Sequence, residues 1–232
     1  MKQADFRQVE KSITRLIRTN RKTMVIVIEN DASVTVRVPK RVSKKEIFDF
    51  VKSKRDWIAE KQREAAHKAR QARAKRFIEG EMFLYLGKSY PLVITDETSY
   101  ALRFGKSNFI LHTKCRHDAK NIFIKWYKRI ALKYFTDRIN YYSQLMGIRY
   151  KYIKINNAQS RWGSCGLKGT INFTWRLILA PPDVVDYVVV HELAHLKELN
   201  HSPRFWNIVK SIYPDFLSAR KWLSDNGHIL NI

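Results

Sequence analysis

The sequence is poor in the residues that mark several whole classes of protein. It holds two cysteines, Cys115 and Cys165, among 232 residues, which excludes a disulfide-stapled scaffold. Eight glycines and six prolines exclude collagen-like repeats and linker-rich chains. No apolar run approaches the roughly 20 residues that span a bilayer, so no membrane partner is expected. Met1 to Asn20 carry charges throughout, without the apolar stretch of a secretory leader. A cytoplasmic protein with both thiols reduced is therefore expected. Acidic residues are scarce as well: 21 Asp+Glu stand against 44 Lys+Arg. No glutamate follows Glu198 and no methionine follows Met146.

What is present is a folded composition, 45% hydrophobic and 12% aromatic, with a lopsided charge. Residues 1–80 hold 22 Lys+Arg against 10 Asp+Glu, residues 81–180 hold 17 against 5, and residues 181–232 hold 5 against 6, which together make the net +23. The excess lies upstream of residue 181. Such a field favours polyanions, nucleic acid or nucleotides among them.

Local patterning predicts a mixture of strands and helices. Met24–Glu29 and Ser33–Val38 read as a hairpin about Asn30-Asp31. Ser43-Lys44-Lys45-Glu46 is a capping box that opens a helix, with Ile47, Phe50, Val51, Trp57 and Ile58 as its core face. From Glu60 to Arg76 the apolar stripe disappears, as on a solvated helix. Two further hairpins are expected, Met82–Leu86 with Tyr90–Thr95 and Ala101–Phe104 with Asn108–His112. Asp118–Met146 reads as a long helix stopped by Gly147, with Phe123, Tyr127, Ile130, Tyr134 and Leu145 as its buried stripe. Strands follow at Tyr152–Asn156, Arg161–Cys165 and Thr170–Thr174. A helix then starts at Pro181-Pro182 and reaches about Asn200, and two short helices lie near Pro203–Ile212 and Asp215–Asp225.

His191-Glu192-Leu193-Ala194-His195 has H-E-x-x-H spacing. On a helix, positions i and i+4 share a face, so both imidazoles can reach one metal ion. A catalytic zinc takes three protein ligands and a water, whose pKa the ion lowers to about 7. Glu192, next to the first ligand, can accept that water's proton. Val184, Val185, Val188, Val189 and Leu196 make the helix largely buried, where unpartnered imidazoles and a carboxylate are costly.

His201 is the candidate third ligand. It follows His195 after five residues, and on a continuous helix of about 3.6 residues per turn it would point away. The helix must stop in between. Asn200 in a left-handed conformation can end it, and Ser202-Pro203 can cap the next. The competing reading is a histidine that only caps a helix end. A third ligand of glutamate is closed off after Glu198 unless Asp215 or Asp225 substitutes. A metzincin is excluded, because Glu198 stands where that class has glycine and no methionine follows for its Met-turn.

The chain resembles the YgjP-like metallopeptidase family, a small zincin related to the SprT-like and Wss-like proteases. The likeness rests on Ser160-Arg161-Trp162-Gly163-Ser164-Cys165, Asn172, Leu179-Ala180-Pro181, the H-E-x-x-H run, and Asn200-His201-Ser202-Pro203-Arg204-Phe205-Trp206. It weakens before about residue 80, where Trp57-Ile58 is suggestive. The resemblance implies His191, His195 and His201 as ligands and Glu192 as base, in agreement with the spacing. Arg161 and Trp162 are candidate substrate-binding residues, Arg161 for a carboxylate or phosphate. The alternative is a tight hairpin in which Gly163 permits close packing and Trp162 fills the core. Cys165 is either a fourth ligand or a small hydrophobe. His67, His112 and His117 are poor candidates, and His228 is either an oxyanion donor or a surface residue. Basic residues along Trp126–Tyr142 either flank base-stacking aromatics or form the solvated face of a core helix.

The expectation is an α+β fold: a basic, β-rich N-terminal module over residues 1–117 and a zincin-like catalytic domain over residues 118–232. Three activities stay open. The first is a zinc metallopeptidase, with an edge strand such as Thr170–Thr174 pairing to an extended peptide. The second is a nucleoside triphosphate pyrophosphatase using Mg²⁺ beside the zinc. The third is a protease associated with nucleic acid through the basic N-terminal surface.

Overall fold

The computed structural model describes residues 13–29, 31–71, 75–166 and 168–232. The chain divides into two compact units, residues 1–73 and 74–232, and both mix helix with strand, as an α+β chain should. The division falls at 73/74 rather than at the expected 117/118.

In the first unit, β1 (Arg15–Thr19), β2 (Val25–Ile28) and β3 (Val34–Pro39) form one sheet in the order β1-β3-β2. The expected hairpin is β2 antiparallel to β3; its Asn30 lies outside the described residues. β1 runs parallel to β3 and was not legible, because Arg-Leu-Ile-Arg-Thr is short and mostly exposed. Val34, Val36 and Val38 are fully buried, and Ile47, Val51 and Ile58 complete a small core with them. The predicted single helix is two, α1 (Lys44–Ser53) and α2 (Arg55–Gln71). The capping box is formed in both directions: the Glu46 amide donates to Ser43 Oγ at 3.2 Å and the Ser43 amide to Glu46 Oε2 at 2.8 Å. Trp57, expected in the core, is 42% exposed, while Ile58 beside it is 4% exposed and joins that core.

In the second unit, β4 (Met82–Tyr85), β5 (Lys88–Thr95), β6 (Leu102–Phe104) and β7 (Phe109–His112) form a sheet in the order β4-β5-β7-β6. Both predicted hairpins are present, and a parallel β5–β7 pairing fuses them. This sheet packs on α3 (Ala119–Met146), which is why the division precedes it. Phe83 stacks on Phe123 at 4.4 Å, Phe109 meets Trp126 edge-on at 5.2 Å, and the Tyr127 hydroxyl donates to the Leu84 carbonyl at 2.7 Å. Such a shared aromatic core cannot be cut at residue 117. The buried stripe of α3 runs through Phe123, Tyr127, Ala131, Phe135, Ile139, Tyr142 and Met146, while Leu145 is 57% exposed. Trp126 and Tyr127 are core residues, so bases cannot stack on them.

β8 (Tyr152–Asn156), β9 (Gly163–Cys165) and β10 (Thr170–Thr174) form a third sheet in the order β8-β10-β9. Thr170–Thr174 is thus the central strand, paired on both sides, and offers no free edge. β9 is the edge. Three helices follow: α4 (Pro182–Ala194), α5 (Pro203–Ile212) and α6 (Phe216–Asn226). α4 is a core element, with Val184, Val185, Val189 and Val190 fully buried. It is clasped to α3 by Arg138, which donates two 2.6 Å hydrogen bonds to Asp186, and by Tyr142, whose hydroxyl donates to the same carboxylate at 3.2 Å. No helix among the described residues is long and apolar enough to cross a membrane.

Candidate metal centre and its cleft

α4 carries His191 and Glu192 in its last turn, and His195 caps its end. The helix stops at Ala194, short of the expected Asn200. The amides of Lys197 and Glu198 both donate to the Ala194 carbonyl, at 3.0 and 2.9 Å, and fold the chain back. Asn200 has no positive φ, so the reversal is made by this turn and not by a left-handed residue. Ser202 caps α5 as anticipated, accepting from the Phe205 amide at 3.3 Å, with Pro203 in the first turn. His201 sits between the two helices and points back.

The result is a cluster of three imidazoles whose ligand nitrogens lie within 4.8 Å of one another. His191 Nε2 and His201 Nε2 are 3.1 Å apart, the separation of two donors sharing one small ion at about 2.0–2.1 Å each. His195 Nδ1 lies 3.2 Å from the Glu198 carbonyl. A carbonyl only accepts, so Nδ1 carries the proton and Nε2 is left with its lone pair, the tautomer a ligand needs. Burial, helped by the neighbouring histidines and Arg220, lowers the His191 pKa to about 3, and burial first also lowers that of His195. Both are therefore neutral near pH 7, as metal binding requires. The donor set fits a zinc ion.

Glu192 is 5% exposed and its Oε2 has no hydrogen-bond partner among the described residues. Burial alone pushes its carboxyl up to about 8, and a buried, unpartnered acid of this kind marks functional sites. It lies against β9: a Cβ built on Gly163 would fall 2.5 Å from Glu192 Oε1. The hairpin reading of Gly163 and the site reading thus describe the same contact.

Among the residues left open by the sequence, Arg161 and Trp162 line a cleft of about 390 Å³ together with Gly163, His191 and Glu192. Cys165 is a free thiol outside the histidine cluster, pushed up to about 11 by burial and, secondarily, by Glu192. Asp215 accepts from Ser218 and Asp225 from Lys221; neither joins the cluster. His112 Nδ1 accepts from the Lys114 amide at 3.2 Å, and His112, Cys115 and His117 form no metal-binding group. His228 is half-buried and does not line the cleft. The side chain of His67 lies outside the described residues.

Three site residues were given no role by sequence reasoning, although Phe205 stands in the run that carries the family resemblance. Phe205, fully buried, backs all three imidazoles, with centroids 4.9, 4.5 and 4.7 Å from His191, His195 and His201. Tyr187, one turn before His191, and Arg220 of α6 line the cleft. The i–4 position of Tyr187 was a usable signal; Arg220 comes from a distant helix and gave none.

The chain matches the family described as YgjP-like, metallopeptidase domain, over residues 22–226. Among solved structures it is similar to the metallopeptidase zymogen abylysin of Pyrococcus abyssi, at 22% identity and a TM-score of 0.36, covering 39% of this chain and 92% of that one. It is also similar to the zymogen jannalysin of Methanocaldococcus jannaschii, at 18% identity and a TM-score of 0.34, covering 39% and 95%. No curated protein sequence matches.

Proposed function

The chain belongs to the YgjP-like metallopeptidase domain family, and from that premise we propose that His191, His195 and His201 hold one zinc ion and that Glu192 is the general base of peptide hydrolysis. The family makes the protein a metal-dependent hydrolase with a peptide substrate. The observation that carries the residue assignment is the convergence of three imidazoles beside one buried, unpartnered carboxylate.

Zinc bound there supplies a positive charge that lowers the pKa of a water to about 7, polarises a carbonyl, and favours the ionised form of Glu192. The chain's own residues do the rest. Glu192 takes the proton of the attacking water and returns it to the leaving amine. His195 is held in its ligand tautomer by the Glu198 carbonyl, and Phe205 excludes water behind the rings. The free side of β9 offers backbone donors and acceptors to an extended substrate, with Arg161 and Trp162 at the cleft as substrate-binding residues.

The nucleotide alternative, with Mg²⁺ as a second ion, is less well supported. Glu192, assigned here as the base, is the one carboxylate among the described residues lining the cleft, which leaves none for the one or two that a Mg²⁺ site draws on besides the phosphates. For partners, we read the basic surface of residues 1–73 as a nucleic-acid contact; Arg15 and Arg37 are both exposed on its sheet.

The test offers unfolded casein and a panel of nucleoside triphosphates side by side, with Glu192→Gln as the blank. Casein cleavage absent from the blank supports the peptidase. Diphosphate release with casein intact and the blank silent would overturn it.

A further inference from the structure

The cleft beside the histidines carries two arginines that neither the ligand set nor the base uses. Arg161 and Arg220 line it with Trp162, Tyr187, Leu223 and Ser224, next to Glu192. Residues 181–232 hold 5 Lys+Arg against 6 Asp+Glu, so Arg220 is not part of the general basic excess upstream.

Its position is fixed by stacking. The Arg220 guanidinium lies 5.1 Å from the centroid of Trp206, and Trp206 stacks on Phe216 at 5.3 Å and on His201 at 5.6 Å. A guanidinium held by its face keeps its N–H edge available. Arg161, also on the cleft, precedes Trp162, whose ring packs so closely on the backbone of Gly227 that a Cβ there would fall 2.7 Å from it. Neither arginine makes a salt bridge among the described residues. Trp162, Val188 and Leu223 give the cleft apolar wall, beside the polar Tyr187, Glu192 and Ser224. A cleft that combines apolar wall with two guanidinium groups suits a short aliphatic stem ending in a carboxylate.

We propose that this cleft is a specificity subsite for a carboxylate on the peptide next to the scissile bond, an inference that rests on the peptidase reading above. The carboxylate is that of an acidic side chain or of a free C-terminus. A polyphosphate fits less well, because Glu192 faces the same space and repels a ligand carrying several charges.

The experiment uses peptides that differ only in Glu, Gln or Lys beside the scissile bond, each with a free and an amidated C-terminus. Cleavage is measured with the wild type, Arg161→Gln, Arg220→Gln and Arg220→Glu. Binding is measured separately on Glu192→Gln, alone and combined with Arg220→Gln, by tryptophan fluorescence. The wild type should favour Glu over Gln by about tenfold in kcat/KM, the factor of one charge-assisted hydrogen bond. That ratio should fall toward one in Arg161→Gln and Arg220→Gln, and Arg220→Glu should turn the preference toward Lys. Dependence on the amide at the C-terminus, not on the side chain, would assign the same site to the terminal carboxylate. If no peptide is cleaved but Glu192→Gln still binds the Glu peptide, and fails to bind it once Arg220→Gln is added, the peptidase reading fails and the subsite stands. Cleavage indifferent to Glu, Gln or Lys and to the terminus, or ATP competing where acidic peptides do not, would overturn the subsite.

Discussion

The carboxylate of Glu192 occupies the space in which a side chain at position 163 would begin: a Cβ there would meet Oε1 at 2.5 Å, Cδ and Cγ at 2.7 Å. Gly163 therefore sets where the acid sits. In Gly163→Ala, the Glu192 side chain must swing away while the three histidines, none of them among the atoms nearest that Cβ, stay in place. Turnover should fall about 10²-fold, the scale for losing a positioned general base, with zinc content kept. Full activity in Gly163→Ala, or loss of zinc along with activity, would contradict this relationship.

Cys165 is held as a thiol. With its pKa pushed to about 11 by burial and by Glu192, its thiolate is scarce at pH 8. Alkylation by iodoacetamide, followed by site-resolved mass spectrometry, should run about a hundredfold slower than for an ordinary thiol. Urea should restore the ordinary rate. Because the folded form prefers the proton, the associated stability is intact below about pH 9 and declines as pH rises toward about 11. Modification of native Cys165 at the ordinary rate would contradict the burial of its thiol.

Much of the local architecture and all of the proposed ligand set were legible because they rest on short-range rules. H-E-x-x-H needs one helical turn, and Ser43 and Ser202 announce their helices within three residues. What failed was long-range. The β5–β7 pairing and the Phe83–Phe123 stack decide the unit boundary, yet nothing between residues 83 and 123 marks them. Strand order is equally hidden: Thr170–Thr174 and Gly163–Cys165 look alike as strands, and the parallel partner β8 alone makes the former central. Arg220 is displaced by 28 residues from Glu192 and reaches the cleft through α6 packing.

The Arg138–Asp186 clasp ties α4 to α3 with side chains 31% and 13% exposed. Partial solvent screening reduces its worth below that of a fully buried pair. Asp186→Asn should cost about 1–2 kcal/mol, seen as a melting temperature lower by roughly 3–6 °C. A shift under one degree would mean that the valines of α4 hold the helix alone.

For the basic surface, Arg15→Glu combined with Arg37→Glu should weaken retention on heparin. The slope of log affinity against log salt should also drop, by about 0.9 for each phosphate no longer neutralised. Zinc content should not change. An unaltered slope would make this charge a solvated face with no polyanion partner.

The central claim is that three histidines hold the metal while Glu192 does not, and zinc content per chain tests it most directly. Measured by elemental analysis on purified wild type, Glu192→Gln and His201→Ala, it should be about one, about one and well below one. Full zinc in His201→Ala, or its loss in Glu192→Gln, would contradict the account.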